Sequence, residues 1–192
     1  MIGEDPYVVD GVLVNKLGIT SAAALSQAEA DLTLAALLHL SVHPLPGAYD
    51  LDHLRRFHRQ IFGAVYAWAG RIRTVDIART PRDVFCRWPF IESQAAGVFA
   101  ALAAEGRLAG LTRAAFVARL AHYYGEINAI HPFREGNGRT QRAFLGQLAR
   151  DAGRRIAWSE LNATENDAAS AAALHGDARP LVLMFEGMVR PW

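Results

Sequence analysis

Residues 131–142 gather side chains suited to one kind of chemistry. They read His131-Pro132-Phe133-Arg134-Glu135-Gly136-Asn137-Gly138-Arg139-Thr140-Gln141-Arg142. Gly136 and Gly138 bracket Asn137, and the run then passes into helix-favouring sequence. Glycines admit backbone torsions that other residues avoid, and they let N–H groups approach a ligand closely. A glycine-rich loop entering a helix is an anion site, because unpaired N–H groups and the helix dipole both favour negative charge. Arg139 and Arg142, three apart, are neighbours on one helix face and can reach the same phosphate chain. Glu135 stands beside that cradle, where a carboxylate can hold a magnesium ion bridging phosphates. His131 is the one side chain of the set whose ordinary pKa suits general-base work near neutral pH. A base, a metal carboxylate, an anion cradle and two cations equip the segment for transfer from a nucleoside polyphosphate. Taken singly, each residue has a structural explanation: a helix end, a turn, a solvated helix face. The fixed twelve-residue frame is what those explanations do not cover.

Such a segment needs a scaffold, and the chain reads as helices separated by short loops. Thr20 or Ser21 can cap a first helix carrying Leu25, Leu32, Leu37 and Leu38, which must stop before His43-Pro44-Leu45-Pro46-Gly47. Asp50 can cap a second, with Leu51, Leu54, Phe57 and Ile61 at helical spacing. Residues 71–78 then alternate polar and apolar, the period of a strand. Thr80-Pro81-Arg82-Asp83 supplies a turn, and Val84-Phe85-Cys86-Arg87-Trp88 reads as the returning strand. Two strands alone are barely stable in water, so this hairpin is expected to be a movable flap and not core. Pro89 suits the first turn of a helix running to about Ala104. Thr112 can cap another, with Phe116, Leu120, Tyr124 and Ile127 on one stripe, ending near Ala129. Later helices are predicted from about Gly138 to Asp151, from Ser159 or Thr164 to Leu174, and from Ala178 to Val189. Arg150, Arg154 and Arg155 read as a solvated helix end. The expected architecture is all-α with one small β-hairpin. It forms a single domain over 1–192, with a core of about 50–190 and an N-terminal helical extension of about 1–45.

Composition narrows the possibilities further. The formal net charge of +1 gives no global argument for nucleic acid or an anionic membrane as partner. Aromatic residues are not interleaved with the arginines for base stacking, so a nucleic-acid module is disfavoured. Cys86 is the single cysteine, which excludes an intrachain disulfide and suits a reducing compartment. The opening Met1-Ile2-Gly3-Glu4-Asp5-Pro6 carries acidic residues where a signal peptide would be basic. No stretch approaches the apolar length of a membrane span, and a soluble cytoplasmic protein is expected.

Residues 131–142 resemble the signature of the Fic family, His-x-Phe-x-(Asp/Glu)-Gly-Asn-Gly-(Arg/Lys)-x-x-Arg, and match it at every defined position. Val65-Tyr66-Ala67-Trp68-Ala69-Gly70, followed by Arg71-Ile72-Arg73, is similar to the family's approach to its flap hairpin. Val12-Leu13-Val14-Asn15-Lys16-Leu17-Gly18-Ile19-Thr20 is similar to the opening of its short stand-alone bacterial toxins. The resemblance implies a Fic-type helical bundle and a protein adenylyltransferase, with Mg2+ as cofactor and ATP as co-substrate. His131 would deprotonate the target hydroxyl, which attacks the α-phosphate and expels pyrophosphate. Glu135 would bind the magnesium ion. Gly136, Asn137 and Gly138 would cradle the anion, with Asn137 on the α-phosphate, while Arg139 and Arg142 would hold the outer phosphates. The flap residues Arg73, Thr74, Val75, Asp76, Ile77 and Ala78 would register the target segment, backbone against backbone. Arg79 stands where relatives often carry lysine.

Gly138 occupies a position that is commonly lysine in the family's phosphotransferase branch, so glycine there favours AMP transfer. The implied target is a protein with a Ser, Thr or Tyr hydroxyl, bacterial type II topoisomerase subunits being the suggested class. Self-restraining relatives carry Ser/Thr-x-x-x-Glu-Gly/Asn. The nearest run here, Val182-Leu183-Met184-Phe185-Glu186-Gly187, has valine in place of the hydroxyl residue, which makes Glu186 a partial match. Resemblance to the short toxins then implies a small antitoxin that supplies the glutamate in trans. The alternatives are transfer of UMP or phosphate by the same fold, or a nucleotide-binding regulator without catalysis. The intact His131 argues against the regulator, since binding alone needs no base.

Overall fold

Helix starts fall where side-chain oxygens can receive the first free N–H groups. A computed structural model of the chain describes residues 5–192, so the reading of Met1–Glu4 lies outside the described residues. Ser21 caps α1 (Ala22–Val42), Asp50 caps α2 (Leu51–Phe62) and Thr112 caps α4 (Arg113–Ile130). Asn162 caps α6 (Ala163–Leu174), accepting from the N–H groups of both Thr164 and Glu165. Pro89 sits in a short 3-10 turn that leads into α3 (Ile91–Ala104). The remaining helices are α5 (Asn137–Asp151) and α7 (Arg179–Met188).

Helix α4 is the hub, packing against α3, α5, α6 and α7, while α2 packs against α5 and α1 covers α2. Phe116, Leu120, Tyr124 and Ile127 of α4 are buried, as are Phe144, Leu145 and Leu148 of α5. Each such side chain contributes on the order of 1.5–3 kcal/mol by leaving water. The segment before the site and the helix after it are thereby fixed to one core. Among the described residues no helix is long and apolar enough to cross a membrane.

Three local expectations need correction. Helix α1 turns Leu25, Glu29, Thr33 and Leu40 inward, whereas Leu32 and Leu38 are exposed. Its buried stripe therefore includes two polar residues, and the leucines alone misjudge it. The 71–88 hairpin pairs only near its tip: Ala78 and Val84 form an antiparallel bridge, flanked by Arg79 N–H to the Asp83 carbonyl at 3.0 Å and Phe85 N–H to the Ile77 carbonyl at 3.3 Å. Its root is tied instead to the site loop, Arg73 N–H to the Pro132 carbonyl at 2.9 Å and Cys86 N–H to the Ala129 carbonyl at 2.8 Å. Regular strands occur instead as β1 (Val8–Val9) with β2 (Val12–Leu13), and β3 (Arg154–Ile156) with β4 (Val189–Pro191), both pairs antiparallel. Arg154 and Arg155 thus belong to a strand, and Arg154 reaches the Leu111 carbonyl at 3.1 Å. Gly153, at φ +72, ends the helix and turns the chain into that strand.

Candidate active site

The site lies between the C-terminus of α4 and the N-terminus of α5. His131 closes α4 in a left-handed conformation, φ 45, with its N–H bonded to the Ile127 carbonyl. Its Nδ1 lies 3.1 Å from the Asn128 carbonyl, which can only accept. The ring proton therefore sits on Nδ1, and Nε2 keeps its lone pair. Phe85 stacks on the ring at 3.7 Å between centroids. Burial, aided by the positive charges of Arg73 and Arg79, lowers the imidazole pKa to about 4, against the opposing bond to Asn128. At neutral pH His131 is an unprotonated base held in one tautomer.

The loop after it is braced from both sides. Phe133 is buried and stacks on His58 at 4.0 Å. The Asn137 amide brackets Phe133, accepting from its N–H at 2.9 Å and donating to its carbonyl at 2.8 Å. One N–H of that amide stays available, so Asn137 is first a loop brace. His58 lies beneath: its Nδ1 accepts the Gly70 N–H at 2.7 Å, and its Nε2 donates to the Glu135 carbonyl at 2.9 Å. Gly136, at φ +81, is obligatory, because a Cβ there would stand 2.2 Å from the Phe62 ring. Helix α5 starts on this glycine with no side-chain cap. Among the described residues, the N–H groups of Asn137, Gly138 and Arg139 have no partner. Three free donors at a helix N-terminus are the physical basis of an anion site.

Charged side chains surround these donors. Glu135 is half exposed, and its Oε1 accepts the Gly136 N–H at 2.8 Å and lies 3.7 Å from Arg139. Among the described residues no group of three or more acidic, His or Cys side chains gathers around a metal position. A divalent ion here would have one protein carboxylate plus water and phosphate oxygens, a set that suits magnesium. Arg142 forms no ion pair among the described residues and lies beside the Tyr124 hydroxyl. Glu186 is exposed on α7 and pairs with neither arginine. A cavity of about 490 Å³ begins at Arg139 and Arg142 and runs past Arg150 and Arg155 to Trp158 and Trp192.

The flap residues divide. Arg73 is buried, and its guanidinium donates to the carbonyls of His131, Val75, Cys86 and Ile130. Its side chain ties the flap root to the base and is not free to meet another protein. Thr74, Asp76 and Ala78 are exposed, while Val75 and Ile77 are half buried. The flap tip is held to α6 by Arg79 on the Asp167 carbonyl and to the adjoining His175 by Asp83. His58, Phe62, Glu29 and Thr33 went unread in the sequence, and Phe85 and Tyr66 were read only as a strand residue and as part of the approach to the flap. Glu29 and Thr33 carried a signal, a polar pair spaced i, i+4 on the face that also holds Leu25. The others lie in separate segments that only folding brings together.

The model of the Fic/DOC family matches residues 48–149, just over half of the chain. The chain belongs to the Fic/DOC family. A protein of Escherichia coli named "Probable protein adenylyltransferase Fic" is 38% identical over 97% of this Fic chain and 93% of its own length. Protein adenylyltransferase VbhT of Bartonella schoenbuchensis is 41% identical over 91% of this chain, which spans 37% of that relative's length. Among solved structures, the ADP-bound N-terminal Fic domain of a VirB-translocated Bep effector protein from Bartonella quintana superposes with TM-score 0.88 at 28% identity. It covers 96% of this chain and 94% of its own. The fold is thus the Fic-type helical bundle.

Proposed function

We propose that this Fic chain is a protein adenylyltransferase that moves AMP from ATP to a hydroxyl side chain of another protein. The observation that carries the reading is the pairing of a neutral, tautomer-fixed His131 with the uncapped start of α5. A base next to three unpaired N–H donors provides for deprotonating an attacking hydroxyl and for stabilising charge on the phosphate under attack. The names of the E. coli and Bartonella relatives support the same activity.

His131 Nε2 takes the proton of the hydroxyl, and the α5 N–H groups hold the α-phosphate oxygens, with the spare Asn137 N–H beside them. Arg139 and Arg142 hold the outer phosphates, which leave as pyrophosphate. Glu135 would hold magnesium, which when bound neutralises charge on the phosphate chain. A Cβ at position 138 would press within 3.2 Å of Arg142 Nη1. Glycine there leaves Arg142 room, and the absence of the lysine that the phosphotransferase branch carries at this position supports AMP over phosphate as the group moved. Backbone groups of residues 74–78 register the target segment as an added strand would.

Arg142, without an ion pair among the described residues, and the cavity beside it support restraint by a separate antitoxin. The cavity lining carries four guanidinium groups and, among the described residues, no Asp or Glu side chain. A glutamate offered by a partner chain would meet Arg142 there, in keeping with a toxin role. Type II topoisomerase subunits are the target class suggested by the resemblance.

The test is labelling in bacterial lysate with magnesium, using ATP labelled at the α- or the γ-phosphate, beside His131→Ala. Protein bands labelled from the α position alone, and lost with His131→Ala, are expected. Label from the γ position alone overturns AMP transfer in favour of phosphate transfer.

A further inference from the structure

Helix α1 lies outside the family-matched residues 48–149, yet it reaches into the phosphate site. Glu29 Oε1 accepts from Arg139 Nη2 at 2.5 Å, and Thr33 Oγ1 accepts from Arg139 Nη1 at 3.1 Å. The other oxygen of Glu29 accepts the Tyr66 hydroxyl. The Arg139 guanidinium lies over the Phe62 ring at 4.7 Å, the same ring against which Gly136 is packed. Arg139 is therefore gripped by a carboxylate, a hydroxyl and an aromatic face, all from segments preceding the signature. A guanidinium has five N–H donors, so donors remain for a phosphate.

The alternative role for such a carboxylate is competition with phosphate. That would require Glu29 to move away when nucleotide arrives. Both of its oxygens are engaged, and the residue is buried along with Tyr66 and Thr33. Burial and the Glu29 carboxylate push the Tyr66 hydroxyl pKa upward, so it remains a donor. A carboxylate held this firmly acts as a bracket.

We infer that Glu29 and Thr33 are positioning residues that fix Arg139 for the outer phosphates of the nucleotide, making α1 a working part of the catalytic unit. This rests on the reading of Arg139 as a phosphate-binding side chain. Its test is calorimetric titration of the full chain, with magnesium, using AMPPNP and separately AMP, which lacks the outer phosphates. The chains are wild type, Glu29→Gln, Thr33→Val, Arg139→Ala and the Glu29→Gln/Arg139→Ala double variant. Glu29→Gln is expected to weaken AMPPNP about tenfold and to change AMP less than about twofold, with no further loss in the Arg139→Ala background. Thr33→Val should repeat the pattern at about two- to threefold, and it carries the test if Glu29→Gln melts too low to titrate. Equal weakening of AMP and AMPPNP, or unchanged or tighter AMPPNP binding, overturns the inference. Wild-type chain that binds neither nucleotide overturns the nucleotide reading, and this inference with it.

Discussion

His58 ties the signature loop to α2, and its hydrogen bonds forbid a second proton. Nδ1 must keep its lone pair toward the Gly70 N–H, and Nε2–H already donates to the Glu135 carbonyl. The ring is fully buried between Phe62 and Phe133. Burial, opposed by the Glu135 bond and reinforced by Arg139, lowers its pKa from 6.5 to about 4. The unfolded chain therefore takes up a proton at pH values where the folded chain does not. Stability from this group is fully present above pH 6.5 and is lost as pH falls toward 4. At about 1.4 kcal/mol per pH unit the whole gap is worth about 3 kcal/mol, of which about 2 kcal/mol is gone by pH 5. Urea unfolding at pH 7.5 and pH 5.0 measures it, with His58→Gln as the reference that no longer titrates. Carboxylates and other histidines contribute to both proteins and cancel in the comparison. Wild type is expected to lose about 2 kcal/mol more than His58→Gln over that interval. Equal losses would refute the claim that the Gly70 and Glu135 bonds hold the ring neutral.

Two substitutions test the rest of the scaffold. Gly136→Ala forces a side chain into positive φ and against Phe62, and should cost about 2–4 kcal/mol in urea unfolding; a cost below about 1 kcal/mol would mean that the loop relaxes freely. Arg73→Met strips the carbonyls of His131, Val75, Cys86 and Ile130 of their buried donor, and should destabilise by about 3 kcal/mol or more by the same measurement. A near-neutral Arg73→Met would place that guanidinium outside the scaffold.

Much of this protein was legible in its residues because the forces involved are local. Ser21, Asp50 and Thr112 cap the helices they precede, since a cap acts within three residues. The signature 131–142 announced its own loop and helix start, because glycine torsions and helix N–H groups are properties of adjacent residues. The flap pairs over a shorter stretch than its alternation suggests, for the opposite reason. Strand alternation in 71–78 says nothing of what the backbone will pair with: Ile77 and Arg79 pair across the hairpin, whereas Arg73 at its root bonds to Pro132. Arg73 was read as part of the target-docking flap. Only the tertiary structure encloses it and surrounds it with carbonyls.

The grip on Arg139 shows the same division. Sequence alone placed Arg139 on the face that could meet phosphate, because helical spacing decides which residues are neighbours. It could not place Glu29, 110 residues earlier, at the other end of an ion pair. That contact exists because α1 packs on α2, and long-range packing is decided by the fit of whole surfaces rather than by any run of residues.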